Sequence, residues 1–168
     1  MPKSVKRRVA ESKTDYGKRI KLLKSGIPRL VFRKTNKYVI AEYIVSREAQ
    51  DKAVIGTNSK KLLTLGWPRN FEGSLKSIPA AYLIGYSIGK QIQDKKLEVP
   101  IMDFGMIRNV HKTKLYGFLK GVIDSGVEMI ISEDKKIFPD KDTIEGKHLK
   151  EDFSKHFESI KKRIGGKN

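Results

Sequence analysis

Cysteine is absent from all 168 residues, which removes disulfides, Cys-based zinc sites and thiol catalysis together. Long apolar runs are also missing, and none approaches the roughly 18 residues that a membrane-spanning helix needs. Histidine occurs three times, as His111, His148 and His156, and no two of them stand at the i, i+4 spacing that chelates a metal on one helix face. There is no G-x-x-x-x-G-K-[ST] phosphate loop, and Gly85-x-x-x-Gly89 is not a dinucleotide fingerprint. Ser87 and Ser125 sit in no nucleophile-elbow context. The first ten residues lack the apolar stretch and cleavage site of a secretory signal. These absences lead us to expect an intracellular, cytoplasmic protein with no membrane partner, no cofactor, no metal and no small-molecule substrate.

Acidic residues are scarce, and that scarcity is the main positive signal. Nineteen carboxylates face 36 Lys and Arg, for a net charge of +17 and a pI near 10.0. A compact particle with that charge repels itself, so a polyanionic partner is expected. The excess is uneven. Residues Met1 to Lys37 carry thirteen basic side chains against Glu11 and Asp15, a net +11 that leaves +6 for the other 131 residues. A short basic run is ordinarily a solvated face. An excess sustained over a whole arm and the following strand points instead to nucleic-acid phosphates. The segment Lys13-Thr14-Asp15-Tyr16-Gly17-Lys18-Arg19 adds a ring and a guanidinium plane that can stack on unpaired bases. Hydrophobic residues make up 38% of the chain, enough for one domain with a modest core and extensions.

The periodicity predicts a short helix over Asp15 to Lys24, docked by Ile20, Leu22 and Leu23 and ended by Gly26 and Pro28. Arg29 to Arg33, Tyr38 to Val45 and Lys52 to Thr57 read as three antiparallel strands. Their outer face would bear Arg29 and Arg33, with Lys34 and Lys37 at one tip. Leu62 to Ile78 is loop-like, and its Trp67 is expected to anchor a satellite core rather than to stack on a base. A helix should start at Pro79, with Ala81, Ile84, Ile88 and Ile92 in its stripe. Gly85 and Gly89 would let it pack closely on a sheet. Val99 to Gly105 reads as a short strand, Lys112 to Asp124 as a second helix ended by Gly126, and Val127 to Ile131 as a final strand or a packed loop. A loop from Ile137 to Gly146 precedes a polar helix over His148 to Arg163.

The expected fold is therefore α/β (α+β): a mixed β-sheet, an antiparallel three-stranded meander followed by helix, strand and helix. We divide it into a basic RNA-binding arm (1–27), a mixed-sheet domain (28–131) and a C-terminal loop-and-helix extension (132–168). The strand–helix–strand step implies parallel pairing with a right-handed crossover. That order is shared with ribonuclease-H-like nucleases, which gather several carboxylates around two metal ions. Here the strands supply only Glu42 and Asp103, and Asp103 is expected to be a satisfied or capping carboxylate. A metal-dependent nuclease and a nonspecific polyanion binder are the rival readings to a structural RNA-binding protein.

The strings Lys13-Thr14-Asp15-Tyr16, Arg19-Ile20-Lys21-Leu22-Leu23-Lys24-Ser25-Gly26 and Pro28-Arg29-Leu30-Val31 resemble the archaeal branch of the large-subunit ribosomal protein eighteen family. The similarity continues through Arg33-Lys34-Thr35-Asn36-Lys37, Gly66-Trp67, Pro79 to Gly85, Met102-Asp103-Phe104-Gly105, Gly121 to Gly126, Ile137-Phe138-Pro139 and Gly146-Lys147-His148. The resemblance implies a ribonuclease-H-like topology of the translational-component type, without the active site. It implies a non-enzymatic protein that binds 5S rRNA and helps attach it to large-subunit rRNA in the central protuberance, beside the number-five-family 5S-associated protein. It places RNA contacts at Lys13, Tyr16, Arg19, Lys24, Arg33, Lys34, Asn36 and Lys37, with Lys6, Arg7 and Arg8 at the family's variable end. The basic arm and first strand add Lys21 and Arg29.

Overall fold

Alternation of apolar and polar residues after Pro28 sets up the sheet, and the computed structural model describes residues 5–11, 14–48, 50–129, 135–147 and 153–166. Two helices precede the sheet, α1 (Arg7–Ala10) and α2 (Tyr16–Lys24). Strands β1 (Arg29–Lys34), β2 (Val39–Arg47) and β3 (Gln50–Asn58) follow. β1 pairs antiparallel with β2, and β2 antiparallel with β3. The β1–β2 turn is closed by Thr35, whose Oγ1 accepts from Tyr38 N at 2.9 Å and donates to Tyr38 O at 2.7 Å. Between β2 and β3 the register shifts at Tyr43/Ile44, which leaves Val54 as the extra residue of a bulge. Val54 is exposed, while Ile55 and Thr57 turn inward.

The Leu62–Ile78 stretch expected as loop holds a one-turn helix α3 (Lys61–Thr64) and 3-10 turns over Arg69–Ser74. Trp67 is 2% exposed and its indole Nε1 donates to Phe71 O at 2.9 Å, so it is a core anchor as anticipated. Helix α4 (Ile78–Asp94) starts one residue before the expected Pro79, because Ser77 extends just before it and accepts from Ala80 N as its N-cap. Strand β4 (Ile101–Asp103) then pairs parallel with β1, giving the order β3-β2-β1-β4. Helix α5 (Lys114–Asp124) follows and ends at Gly126, whose φ of +101° suits glycine. Val127 to Met129 forms no strand, and Ile130 and Ile131 lie outside the described residues.

The glycine pair of α4 does not serve packing on the sheet. A Cβ on Gly85 would lie 2.1 Å from Phe118 O, and one on Gly89 would lie 1.9 Å from Ser125 Oγ. From α5, a Cβ on Gly121 would lie 2.1 Å from Tyr82 O, and one on Gly117 would lie 2.9 Å from Ile78 Cγ2. Glycines on both helices thus bring two backbones into contact, and contact positions rise together along the two chains, so α4 and α5 run parallel. The physical reason is that a missing side chain favours whichever backbone comes closest, and the helix does. Phe118 of α5 reaches the sheet, with its ring 4.7 Å from that of Phe32.

The C-terminal part joins the same core. A 3-10 turn (Lys135–Ile137) and α6 (Lys141–Glu145) occupy the expected 137–146 loop. Helix α7 (Phe153–Ile164) buries Phe153, Phe157 and Ile160; its expected start at His148 lies outside the described residues. Phe153 meets Trp67 edge-on at 4.9 Å, and Phe157 meets Tyr82 at 5.5 Å. The Tyr82 hydroxyl donates to Asp124 Oδ2 at 2.8 Å and accepts from Lys161 Nζ at 2.7 Å, joining α4, α5 and α7. Burial, then the Asp124 hydrogen bond and charge, push this phenol far above its usual range.

Gly85→Ala and Gly121→Ala should each destabilise the fold by about 1–3 kcal/mol in urea unfolding, because overpacking outweighs alanine's helix preference of about 1 kcal/mol. Gly56→Ala, where a methyl meets open space, is the control. Neutral results at Gly85 and Gly121 would mean that the helices can part without loss.

Candidate nucleic-acid interface

The arm folds onto the sheet face opposite α4 and α5. On β1, Leu30 and Phe32 enter the main core, whereas Val31 is 5% exposed yet lies outside that core cluster. Helix α2 starts at Asp15, whose carboxylate accepts from Lys18 N at 3.0 Å. Arg19, Leu22 and Leu23 share its docking face at i, i+3 and i+4. Ile20, expected to dock, is rotated off that face and is 51% exposed.

Arg29 is the largest correction to the sequence reading. It was expected on an open outer face, but it is 2% exposed. Its Nη2 lies 2.7 Å from Asp51 Oδ1 and its Nη1 lies 3.0 Å from Asp103 Oδ2. Asp51 also receives Arg19 Nη2 at 2.8 Å and the Ser46 hydroxyl at 2.8 Å. Asp103 receives Arg33 Nη2 at 3.3 Å and the Gly105 amide at 2.8 Å. Arg33 Nη1 donates further to the carbonyls of Asp103 and Phe32, both at 2.9 Å. An alternating chain Arg19–Asp51–Arg29–Asp103–Arg33 therefore runs from α2 through β3 and β1 to β4. Asp103 is the satisfied carboxylate anticipated from its position.

Burial alone would raise the Asp51 carboxyl, but hydrogen bonds from Ser46, Arg19 and Arg29, together with the Arg29 charge, hold it below the usual range. Both terminal nitrogens of Arg29 are engaged, by Asp51 and Asp103, while its buried Nε has no hydrogen-bond partner among the described residues. The two end members stay partly open, with 42% of the Arg33 side chain and 37% of the Arg19 side chain exposed.

Around this chain the arm cations stay open. Lys6, Arg7 and Arg8 are exposed. Lys6 Nζ sits 4.5 Å above the Tyr16 ring, Arg7 pairs with Glu11 at 3.5 Å, and Arg8 Nε donates to Thr14 Oγ1 at 2.9 Å. Lys13 lies outside the described residues. Lys18, Lys21 and Lys24 on α2 are exposed, as are Lys34, Asn36 and Lys37 at the end of β1 and its turn. None of these five lysines pairs with a carboxylate among the described residues.

Between arm and sheet edge lies a groove of about 440 Å³, lined by Arg8, Lys18 and Lys21 on one side and by Arg33, Phe104 and Asn109 on the other. Asn109 Oδ1 accepts from the Tyr116 hydroxyl at 2.7 Å, leaving its amide nitrogen as a donor. Cations, a ring and an amide are the groups that hold a nucleotide's phosphate and base. Sequence reasoning counts Lys18 among the arm cations without singling it out, and does not reach Phe104 or Asn109 as contacts. The Asp103-Phe104-Gly105 turn, with Gly105 at φ +57°, was the one available signal for the last two.

Arg29→Ala should destabilise the fold by about 3 kcal/mol, because it removes a buried cation shared by the buried Asp103 and the partly exposed Asp51. Urea unfolding reads this, and a loss under about 1 kcal/mol would mean that Asp51 and Asp103 find other partners. The low Asp51 value also sets a pH dependence. Its contribution is complete above the unfolded carboxylate value of about 4 and is lost as pH falls through the lower folded value. Asp51→Asn should flatten that acid limb of melting temperature against pH; an unchanged limb would remove Asp51 from it.

The family described as "Ribosomal large subunit proteins 60S L5, and 50S L18" matches residues 3–100. The chain is 39% identical over 143 residues to a large ribosomal subunit protein uL18 from Korarchaeum cryptofilum, covering 85% of this chain and 70% of that one. It is 37% identical over 144 residues to the uL18 protein of Caldivirga maquilingensis, covering 85% and 67%. For the uL18 protein of Methanoculleus marisnigri the identity is 36% over 145 residues, covering 86% and 79%. These relatives are structural ribosomal proteins, not enzymes. The arm from Lys3 onward, Arg29 and the turn after β1 fall within residues 3–100, and the chain belongs to the uL18 family of large-subunit ribosomal proteins.

Proposed function

We propose that the protein is a structural constituent of the cytoplasmic large ribosomal subunit that binds 5S rRNA and helps attach it to large-subunit rRNA in the central protuberance. Its partners on this reading are 5S rRNA, large-subunit rRNA and the number-five-family 5S-associated protein. The observation that carries the reading is the anchored arm. The Arg19 to Arg33 chain holds α2 on the sheet, so Lys18, Lys21, Lys24, Lys34 and Lys37 project from a fixed frame rather than from a loose tail. Fixed cations select a phosphate geometry, whereas loose ones bind any polyanion.

The proposed contacts are Lys6, Arg7, Arg8, Lys13, Tyr16, Lys18, Lys21, Lys24, Arg33, Lys34, Asn36 and Lys37. Arg19 and Arg29 act through position. The sheet order, with β4 parallel to β1, is compatible with a ribonuclease-H-like topology of translational components. Asp103 is engaged by two arginines instead of being open to a metal.

A competition titration of 5S rRNA against excess transfer RNA, repeated across salt concentrations, tests the reading. Preference for 5S rRNA should persist. With roughly six to ten phosphates contacted, affinity should fall by about 10³–10⁵ between about 50 and 200 mM salt. Equal binding of both RNAs would reduce the protein to a nonspecific polyanion binder.

A further inference from the structure

We infer that the protein has a second surface for the phosphodiester backbone of a structured RNA, where Lys34, Lys76 and Lys114 converge on the helix side of the sheet. The inference rests on RNA being the ligand, and not on that RNA being 5S.

Three segments meet there. Lys34 ends β1 and follows Leu30 and Phe32 in the alternation that faces the helices. Its register partner, Val39, is buried in that same core. Val39 is tied to Ser59 by two hydrogen bonds, at 3.0 and 3.1 Å, and the Ser59 hydroxyl donates to Leu75 O at 2.6 Å. Leu75 and Lys76 are thereby drawn to the end of β1. Helix α5 reaches the same place, because Phe118 touches Phe32 and Gly117 abuts Ile78. Lys114 is its first residue. The arm lies on the other face, toward which Arg33 points, and Lys34, exposed at the end of β1, borders both surfaces.

The electrostatics of this corner call for an anion. None of the three lysines pairs with a carboxylate among the described residues. The Lys114 ammonium is half-buried and held below its usual range, first by that burial and then by the charges of Lys34 and Lys76. Like charges brought together from three segments oppose folding and suit a bound polyanion. The parallel N-terminal ends of α4 and α5 add to the positive potential. Toward the β1–β2 turn the surface continues through Lys37 and through Lys60, whose ammonium stands 4.7 Å over the Tyr38 ring. Spaced ammonium groups without an arginine fork match a row of phosphates as point charges.

The test uses the full chain and its Lys76→Gln/Lys114→Gln variant. Each is first saturated with 5S rRNA and then titrated with a labelled short RNA duplex. The wild type should capture the duplex. The variant should capture it about tenfold more weakly and with a salt slope lower by about two, while its 5S affinity changes by less than about twofold. Without 5S rRNA the wild type should take up two duplexes per chain and the variant one. Equal capture by both proteins, or parallel loss of both RNAs, would overturn the second surface. Capture of a polyglutamate peptide in place of the duplex would assign the lysines to an acidic protein and overturn it as well. Removing mutual repulsion should leave the melting temperature unchanged or higher, and a clear drop would contradict the claim that the lysines lack partners. If the wild type shows no preference for 5S rRNA, the duplex stoichiometry without 5S still decides the second surface.

Discussion

A single guanidinium, buried between two carboxylates, holds the arm and both edges of the sheet in one arrangement. Arg29 sits on β1 and reaches Asp51 on β3 and Asp103 on β4. Arg19 and Arg33 extend the chain at either end. Desolvating these groups offsets much of their mutual attraction, so the chain contributes geometry more than net stability. That geometry is what the basic arm needs. A cation on an untethered segment must be ordered again at each encounter, and one fixed to the sheet is already in place.

The core behind the sheet is built for the same rigidity by different means. Gly85 and Gly121 let α4 and α5 touch backbone to backbone, Gly89 and Gly117 make room for Ser125 and Ile78, and Phe118 then plugs into the sheet against Phe32. Helix α7 closes the far side through Phe153 and Phe157, with Tyr82 joining three helices by hydrogen bonds. The C-terminal segment is thus part of the support under α4, not an appendage to it.

Much of this was legible in the sequence where local chemistry decides it. The alternation in β1 and β2, the N-terminal proline of α4 and the glycine that ends α5 each announce their element. The satisfied state of Asp103 followed from its place in an apolar strand with no second carboxylate beside it. What was not legible depended on who covers what. Alternation put Arg29 on the outer face but could not say that this face is itself covered by α2. The Gly85 and Gly89 spacing demanded close approach without naming α5 as the neighbour. Lys76 and Lys114 are single lysines in separate elements, and nothing local marks them as neighbours of Lys34. Lys18, in turn, looked like one more cation of the arm until the groove beside Arg33 gave it a location.

The separation of partners along the chain also bears on how the protein is made. The arm emerges before the sheet, yet Arg19 waits for Asp51, 32 positions later, and Arg29 waits for Asp103, 74 positions later. β4 cannot join β1 until α4 has been synthesised, and long-range pairings of this kind form late. During translation the most basic part of the chain therefore spends its time unanchored, with Arg29 still in solvent. A nascent chain in that condition is a promiscuous ligand for any nearby nucleic acid, and selectivity is acquired only when the fourth strand closes the sheet.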